Sequence, residues 1–180
     1  MNLDSTLKKI ERRYDIPLLI PMFGVSIELG VAEGGFSEAV LNYGRGVYHY
    51  GVDRYSGERN HTDDEYLTAL KRLEKYRNRF SLIRADFSVA RKLFPDEYFD
   101  FIYIDGYAHT GQENGRTLAE WWPKVKPGGF LVGDDYSSHW PLVVEVADKF
   151  AAHQQRKLHV IQCKPEHDWA SQEPSWLIQK

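Results

Sequence analysis

Short apolar runs alternate with segments of helical periodicity along most of the chain. Runs rich in β-branched and aromatic residues predict strands over residues 25–29, 47–53, 80–86, 99–105 and 129–135. Apolar residues at helical spacing predict helices from about residue 36 and over residues 63–76, 88–94, 116–125 and 141–153. Residues 157–163 and 175–180 predict two more strands at the C-terminal end.

The apolar residues within the central strands are nearly continuous, which predicts burial on both faces of a sheet. Strands that alternate with helices predict right-handed βαβ units and a parallel sheet with helices on both sides. The last two strands are separated by about ten residues without a helical pattern, so they could form a hairpin, which would place one antiparallel strand at the sheet edge. The predicted fold is therefore a doubly wound α/β sheet.

Composition and charge narrow the class of protein. The chain has 180 residues, 42% of them hydrophobic, which predicts a single globular domain over residues 1–180. The net charge of -3 argues against nucleic acid as the main partner. The single cysteine, Cys163, can form no disulfide within the chain. A polar N-terminus and the lack of a long apolar stretch predict a cytoplasmic protein without a membrane partner.

Every central strand ends in or beside a carboxylate. These residues are Glu28, Asp53, Asp86, Asp105, and the pair Asp134 and Asp135. Ligands of open α/β sheets bind at the carboxyl ends of the strands. One acid there could cap the following helix, but five strand ends are more than capping explains. The pattern predicts a ligand that carries hydroxyls, an amine and a cationic centre.

The loop after the first strand has two interpretations. Gly30, Ala32 and Gly35 loosely satisfy G-x-A-x-x-G, and Asp53 lies 23 residues after Gly30, near the offset at which an acid holds ribose hydroxyls. This pattern also occurs in nicotinamide-dependent enzymes. However, Glu28 beside the loop would repel a pyrophosphate. S-adenosylmethionine has no phosphate and a positive amino-acid end, so it would tolerate that acid.

Five segments in order resemble the motifs of class I S-adenosylmethionine-dependent methyltransferases. The segments are ELGVAEGGFS, VDRYSG, RADFS, FDFIYIDGYAHTGQ and WWPKVKPGGFLVGDDY. The resemblance covers the chain from about residue 24 onward. It is strongest to the small single-domain group related to catechol O-methyltransferase-like enzymes and to metal-dependent sugar O-methyltransferases.

The resemblance implies a seven-stranded Rossmann-like sheet of order 3-2-1-4-5-7-6 with strand 7 antiparallel. It implies S-adenosylmethionine as cofactor, with the ribose on Asp53 and the adenine at Asp86 and Phe87. Glu28 is expected to accept N–H bonds from the glycine loop and to favour a cationic cofactor. The full set of residues expected to bind the cofactor is Glu28, Gly30, Gly34, Ser37, Asp53, Arg54, Asp86, Phe87 and Asp105.

Three acids at neighbouring strand ends predict a metal ion. Asp105, Asp134 and Asp135 would crowd one another, because adjacent strands lie only ~4.8 Å apart. No Lys or Arg stands beside them in the sequence. Oxygen ligands suit Mg²⁺, Mn²⁺ or Ca²⁺, and the metal-dependent branch of the family holds its ion at matching places, although its third ligand is often Asn. The alternative is that Asp135 or Ser137 caps the helix that begins near Pro141.

Methyl transfer to oxygen needs a base that takes the hydroxyl proton. Catechol O-methyltransferase-like enzymes use a lysine just after the fourth-strand aspartate, where this chain has GYAHTGQ. His109, assisted by a carboxylate such as Asp105, is the first candidate, and His139 is the second; a loop histidine can also be merely structural. Residues 1–22 are expected to form an N-terminal helix that is small for a lid. Residues 54–62, the loop around His109 and residues 136–140 are further lid candidates.

These features together predict methyl transfer from S-adenosylmethionine to a hydroxyl of a small molecule or saccharide, assisted by a divalent ion. The alternatives are a nicotinamide-dependent oxidoreductase and a non-catalytic protein that binds an adenosyl ligand. No nucleic-acid or membrane partner is expected, and the sequence leaves a homodimer open.

Overall fold

The computed structural model of the protein describes residues 3–43, 45–56, 62–162 and 173–180. Cys163 and residues 57–61 of the predicted lid segment 54–62 lie outside the described residues.

Seven strands form one sheet in the order β3-β2-β1-β4-β5-β7-β6. Strands β1 to β5 pair in parallel, and β7 is antiparallel to both β5 and β6. The predicted order is confirmed, but the antiparallel strand β7 lies one position inside the sheet edge, between β5 and β6, and is therefore more completely buried than β6. The strands are β1 (Val25–Leu29), β2 (Tyr48–Asp53), β3 (Phe80–Arg84), β4 (Phe99–Ile104), β5 (Val125–Gly133), β6 (Leu158–Ile161) and β7 (Ser175–Gln179).

The helices follow the predicted segments, except that one ends early and a short left-handed turn, α5 (Gly111–Asn114), is added. The helix predicted over residues 116–125 ends at Trp121, and β5 begins at Val125, earlier than predicted. The register of β5 against β4 jumps from Val125 to Phe130, so the KPGG sequence bulges out instead of delaying the strand. No helix of the described segments is long and apolar enough to cross a membrane. The helices are α1 (Leu3–Leu7), α2 (Gly35–Asn42), α3 (Asp63–Leu73), α4 (Phe87–Ala90), α5 (Gly111–Asn114), α6 (Arg116–Trp121) and α7 (Pro141–His153).

The sheet is buried on both faces, as its continuous apolar strands predict. One core cluster contains Ile102 of β4 together with Trp121 and Ala147 from the helices on that side. The other contains the next residue of β4, Tyr103, together with Phe36 of α2. Neighbouring residues of one strand thus enter opposite cores, which is why the strand shows no polar alternation.

The N-terminal segment is part of the second core and not a single helix. After α1, residues Arg13–Leu19 form a 3-10 segment, in which Ile16 and Leu19 are fully buried. Asp15 accepts the backbone N–H of Arg12 at 3.0 Å, and Pro17 has no N–H to continue an α-helix. The α-helix has already ended at Leu7, and these two local features favour the tighter 3-10 form of the segment that packs against the sheet.

Gly30 allows the loops after β1 and β4 to touch. Its φ is 98°, and a Cβ placed on it would lie 2.1 Å from the carbonyl oxygen of Asp105. The backbone N–H of Asp105 donates to the carbonyl of Leu29 at 2.8 Å, which fixes the two loops together. Only glycine fits this combination of dihedral angle and contact.

A buried polar network lies behind the loop that follows β1. The hydroxyl of Ser37 donates to Glu28 and lies 3.1 Å from Nε2 of His49, while Ser26 Oγ lies 2.8 Å from His49 Nδ1. Burial raises the pKa of Glu28 to about 8 and lowers the pKa of His49 to about 3. Both side chains are therefore mainly uncharged at neutral pH, and the network holds the start of α2 against β1 and β2.

The loop contacts predicted for Glu28 are made by Asp53. The loop N–H groups of Val31 and Ala32 donate to Asp53, at 2.9 and 3.0 Å, and not to Glu28. Burial raises the pKa of Glu28 to about 8, which weakens the preference for a cationic ligand that a fully charged acid would give. Behind the loop, the buried Glu28 instead accepts a hydrogen bond from the Ser37 hydroxyl.

Replacing Gly30 by alanine should destabilise the fold more than the same change at Gly128. Both glycines have positive φ, so each alanine adds about 1–2 kcal/mol of backbone strain. Gly128 has nothing within 4 Å of an added Cβ, whereas Gly30 meets the Asp105 carbonyl. Denaturant unfolding should show the larger loss for Gly30→Ala. Equal losses would mean that the two loops do not touch.

Glu28→Gln should change how stability depends on pH. A carboxyl group with a raised folded-state pKa stabilises the fold below its unfolded pKa, and this contribution is lost as pH rises through the folded-state value of about 8. Glutamine cannot ionise, so between about pH 5 and pH 9 the wild-type melting temperature should fall relative to that of the variant.

The exposed Glu145 of α7 provides the matched control for this measurement. Glu145→Gln should shift the melting temperature by the same amount at every pH in this range. Parallel wild-type and Glu28→Gln profiles would contradict a buried, protonated Glu28.

Candidate active site

A cavity of about 350 Å³ opens at the carboxyl ends of β1, β2, β4 and β5. Its size suits a small-molecule ligand. The lining residues follow these strand ends and include most of the predicted site: Gly30, Ala32, Asp53, Arg54, Tyr55, Ser56, Phe87, Asp105, Gly106, Tyr107, Ala108, His109, Asp135 and Trp140.

Some predicted residues lie behind the cavity and do not line it. Glu28 and Ser37 belong to the buried network. Gly34, with φ of 82°, precedes α2 and packs against Leu73, so its role is in the loop's shape. Asp134 is 5% exposed and lies beneath the cavity surface. These residues position the site from behind, and none of them is in the lining.

Asp53 is fixed at the end of β2 by backbone N–H groups. Its Oδ2 accepts from Val31 and Ala32, and its Oδ1 accepts from Tyr55 at 3.1 Å. A carboxylate has about four acceptor positions, so Asp53 can accept a further donor from the cavity. A hydroxyl-bearing ligand is the partner that this arrangement fits.

The ends of β2 and β3 form a slot with one charged and one aromatic side. Arg54 Nη1 lies 3.5 Å from Asp86 Oδ1, and both side chains are partly exposed. Asp86 precedes α4 but makes no side-chain capping bond, so capping alone does not explain this acid. The Phe87 ring meets Tyr107 edge-on, with ring centroids 5.2 Å apart. The slot can take a flat ring such as a nucleobase.

Arg13 bridges the acids at the ends of β4 and β5. Its Nη2 donates to Asp105 Oδ2, and its Nη1 lies 3.1 Å from Asp134 Oδ2. Asp134 also accepts from Ser175 of β7 at 2.9 Å. The prediction considered only cations near these acids in the sequence, whereas Arg13 lies 92 positions from Asp105 along the chain.

The three acids predicted to bind a metal do not form a metal-binding group as folded. Among residues 3–43, 45–56, 62–162 and 173–180, no three His, Cys, Asp or Glu side chains are placed to hold an ion. Asp105 and Asp134 each direct an oxygen at Arg13, and Asp134 accepts a second bond from Ser175. This donor set does not fit a divalent ion.

Asp135 lines the cavity without sharing in the contacts of Arg13 with its neighbours. Burial, followed by the charges of Asp134 and Asp105, raises the pKa of Asp135 to about 7, and burial raises that of Asp134 to about 6. Asp135 has φ of 64°, an uncommon conformation for this residue type. The helix-cap alternative fails because Trp140 is the N-cap of α7. Asp135 therefore presents a carboxyl group of near-neutral pKa to the cavity.

The two candidate bases are in different environments. His109 lines the cavity from a 3-10 turn that is flanked by Tyr107 and Gly111, both with positive φ. His139 is outside the cavity lining, its side chain is 78% exposed, and its Nδ1 lies 2.7 Å from Glu173. His109 remains as the candidate base, because His139 does not line the cavity.

The left-handed turn that follows His109 is unusual for its sequence. Gly111, Gln112, Glu113 and Asn114 all have positive φ, and the hydroxyl of Thr110 accepts the N–H of Glu113 at 3.0 Å. Non-glycine residues in this conformation persist where the surrounding structure holds them. The turn fixes the loop that carries His109 against α7, where Gly111 packs on Leu142.

Sequence reasoning missed Tyr55, Tyr107 and Arg13. Each tyrosine stands two positions after a predicted strand-end acid and lines the cavity, so that spacing could have identified both. Arg13 carries no comparable signal, because a single arginine in a polar N-terminal segment resembles an ordinary surface residue.

The chain matches the profile of the family described as "Methyltransferase domain" over residues 27–136, which is more than half of its length. This segment begins in β1 and includes every strand that borders the cavity. Among curated proteins, no sequence matches this chain.

Solved structures share the fold at low sequence identity. A candidate caffeoyl-CoA O-methyltransferase from Staphylococcus aureus has a TM-score of 0.66 and 14% identity, over 87% of this chain and 76% of that one. A SAM-dependent O-methyltransferase from Thermotoga maritima has a TM-score of 0.64 and 16% identity, over 89% and 60%. An rRNA methylase from Streptococcus thermophilus has a TM-score of 0.63 and 12% identity, over 91% and 90%.

These likenesses show the fold, and the family match shows the kind of protein. The strand order 3-2-1-4-5-7-6 with β7 antiparallel agrees with the expected methyltransferase fold. The chain therefore belongs to the methyltransferase-domain family, as a class I S-adenosylmethionine-dependent methyltransferase.

Proposed function

We propose that this protein transfers the methyl group of S-adenosylmethionine to a hydroxyl of a small ring-shaped acceptor, a phenol or a saccharide. The main support for this proposal is that the order of the strands divides one cavity into two halves. Asp53 and Phe87 come from the ends of β2 and β3, Asp105 from β4, and Asp135 and Trp140 from the segment after β5. Because β1 and β4 lie between β2 and β5, Asp105 stands between a cofactor half and an acceptor half.

The cofactor half fits the chemistry of an adenosyl ligand. When bound, S-adenosylmethionine supplies an electrophilic methyl group on a sulfonium. Asp53 would accept the ribose hydroxyls, and the slot beside Phe87 would hold the adenine. Asp105, a carboxylate at the centre of the cavity, would accept from the amino group of the methionine part.

The acceptor half contains a base and aromatic rings. His109 would take the proton of the acceptor hydroxyl as the methyl group is transferred, a role that typically accelerates a reaction 10²–10⁴-fold, on the order of 3–6 kcal/mol. Tyr107 and Trp140 line the same cavity, and aromatic rings pack well on phenols and on the apolar faces of sugars. Asp105 would stabilise the imidazolium that forms.

We assign no divalent ion to this reaction. The resemblance implies one, but Arg13 already pairs with both Asp105 and Asp134. Deprotonation therefore depends on His109 and its surroundings. Two other functions predicted as alternatives, a nicotinamide-dependent oxidoreductase and a non-catalytic binding protein, do not agree with membership in the methyltransferase family.

Asp53→Asn should weaken the binding of S-adenosylhomocysteine by about 1–3 kcal/mol, because the ribose hydroxyls lose a charged acceptor. Asp96→Asn is the control, since this exposed acid pairs with Lys124 and is outside the cavity lining; it should leave the affinity unchanged. Isothermal titration with S-adenosylhomocysteine and with NAD measures both variants. Equal binding by wild type and a folded Asp53→Asn protein would remove Asp53 from the site.

Turnover on a panel of acceptors tests the reaction itself. Phenols and saccharides should yield S-adenosylhomocysteine and a methyl ether, whereas amines, thiols and RNA should not. With an accepted substrate, His109→Gln should lower kcat by roughly 10²-fold or more and leave S-adenosylhomocysteine affinity unchanged. Methylation of RNA or of carbon acceptors alone, or full activity of the variant, would contradict the proposal.

A further inference from the structure

We propose that Arg13 is a positioning residue that acts as a built-in cation among the strand-end acids, in the place where a divalent ion would otherwise be needed. The inference rests on charge and contact geometry, so it holds whichever acceptor the enzyme uses.

The contacts of Arg13 match those expected of a bridging cation. Two different nitrogens of one guanidinium reach two carboxylates, Nη2 to Asp105 and Nη1 to Asp134. Asp105 follows β4 and Asp134 follows β5, and these strands are neighbours in the sheet. The planar fork of arginine is suited to such a bridge, because its donors diverge at fixed angles. Arg13 thus joins the two strand ends and reduces the repulsion between their acids.

The guanidinium is held in place by rings on two elements. Its Cζ lies 5.6 Å from the ring centre of Phe36 in α2 and 5.4 Å from that of Tyr103 in β4. The two rings stack on each other with centroids 4.0 Å apart. Aromatic faces attract a cation, more strongly where water is excluded. The Arg13 side chain is only 14% exposed, so this is a buried contact and not a surface ion pair.

The backbone that carries Arg13 is equally fixed. Arg13 begins the 3-10 segment whose Ile16 and Leu19 are fully buried in the second core. Burial alone would lower the pKa of Arg13, but Asp105, Tyr103 and Asp134 together raise it well above its usual value. The side chain stays charged, and moving it away would require the segment to leave the core.

This arrangement has a chemical consequence that differs from that of a metal. A divalent ion can bind an acceptor oxygen directly and lower the pKa of the hydroxyl. A guanidinium donates hydrogen bonds but has no coordination position for an alkoxide. Arg13 can therefore hold Asp105 and Asp134 in place and balance their charge, while the proton is removed by another group.

The strand-end acids of the wild-type protein are expected not to bind divalent ions, and removal of Arg13 should allow these ions to bind there. Arg13→Met keeps a long apolar stem against Phe36 and Tyr103 but removes the charge. Its melting temperature should be lower than that of wild type and should rise with added Mg²⁺, Mn²⁺ or Ca²⁺, since ions that bind only the folded state stabilise it. The wild-type melting temperature should not respond to these ions.

Two controls separate this effect from a general loss of packing. Arg116→Met removes an arginine whose side chain is 55% exposed and paired locally with Glu113, and it should gain no response to the ions. Adding Asp105→Asn to Arg13→Met should remove the gained response. Electron paramagnetic resonance of Mn²⁺ should show the ion bound by Arg13→Met and free in the presence of wild type.

If Arg13→Met does not fold, Arg13→Lys provides the same test. Lysine keeps one charge but cannot bridge both carboxylates as a fork. Divalent ions are therefore expected to stabilise Arg13→Lys more than they stabilise wild type. The proposal is overturned if wild type binds Mn²⁺ and is stabilised by it, or if neither Arg13 variant gains a response to the ions.

Discussion

The balance of charge at the carboxyl ends of the sheet is the constraint on which the site depends. A parallel sheet brings the ends of neighbouring strands within ~4.8 Å of each other, and here each of those ends carries an acid. The structure relieves the repulsion differently at each position. Glu28 is kept protonated by burial, Asp53 accepts three backbone N–H bonds, and Asp105 and Asp134 share Arg13. At Asp135, burial and the charges of Asp134 and Asp105 raise the pKa to about 7.

The fold could be predicted from the sequence because strands that are buried on both faces of the sheet consist of nearly continuous apolar residues. The strand over residues 99–105 and the helix over residues 141–153 are predicted nearly to the residue. The errors arise where contacts between residues distant in the sequence determine where an element begins or ends. The KPGG segment predicts an interruption between helix and strand, but β5 already begins at Val125, which pairs with Phe99 before the chain bulges. The N-terminal helix ends at Leu7, and the predicted helical stretch continues as a 3-10 segment that buries Ile16 and Leu19 in the core.

The candidate site was predictable to the extent that its residues end strands. Asp53, Asp105 and Asp135 follow strands and line one cavity, as parallel strands require. The behaviour of each acid was not predictable, because it depends on burial and on partners from other parts of the chain. Glu28 looks like a charged residue beside the loop, but it lies behind it with Ser37 and His49. Arg13 could be assigned to the site only once the three-dimensional structure placed it there.

Asp134 is held from both ends of the chain, by Arg13 and by the hydroxyl of Ser175. Ser175 lies 41 positions after Asp134, and Arg13 lies 92 positions before Asp105. Contacts over such separations form late, since long loops must close before they are made. During synthesis, the acids of β4 and β5 therefore emerge after Arg13 but before β7 can cover them. The bond from Ser175 to Asp134 can form only after β7 has been synthesised, so until then Asp134 lacks one of its two partners.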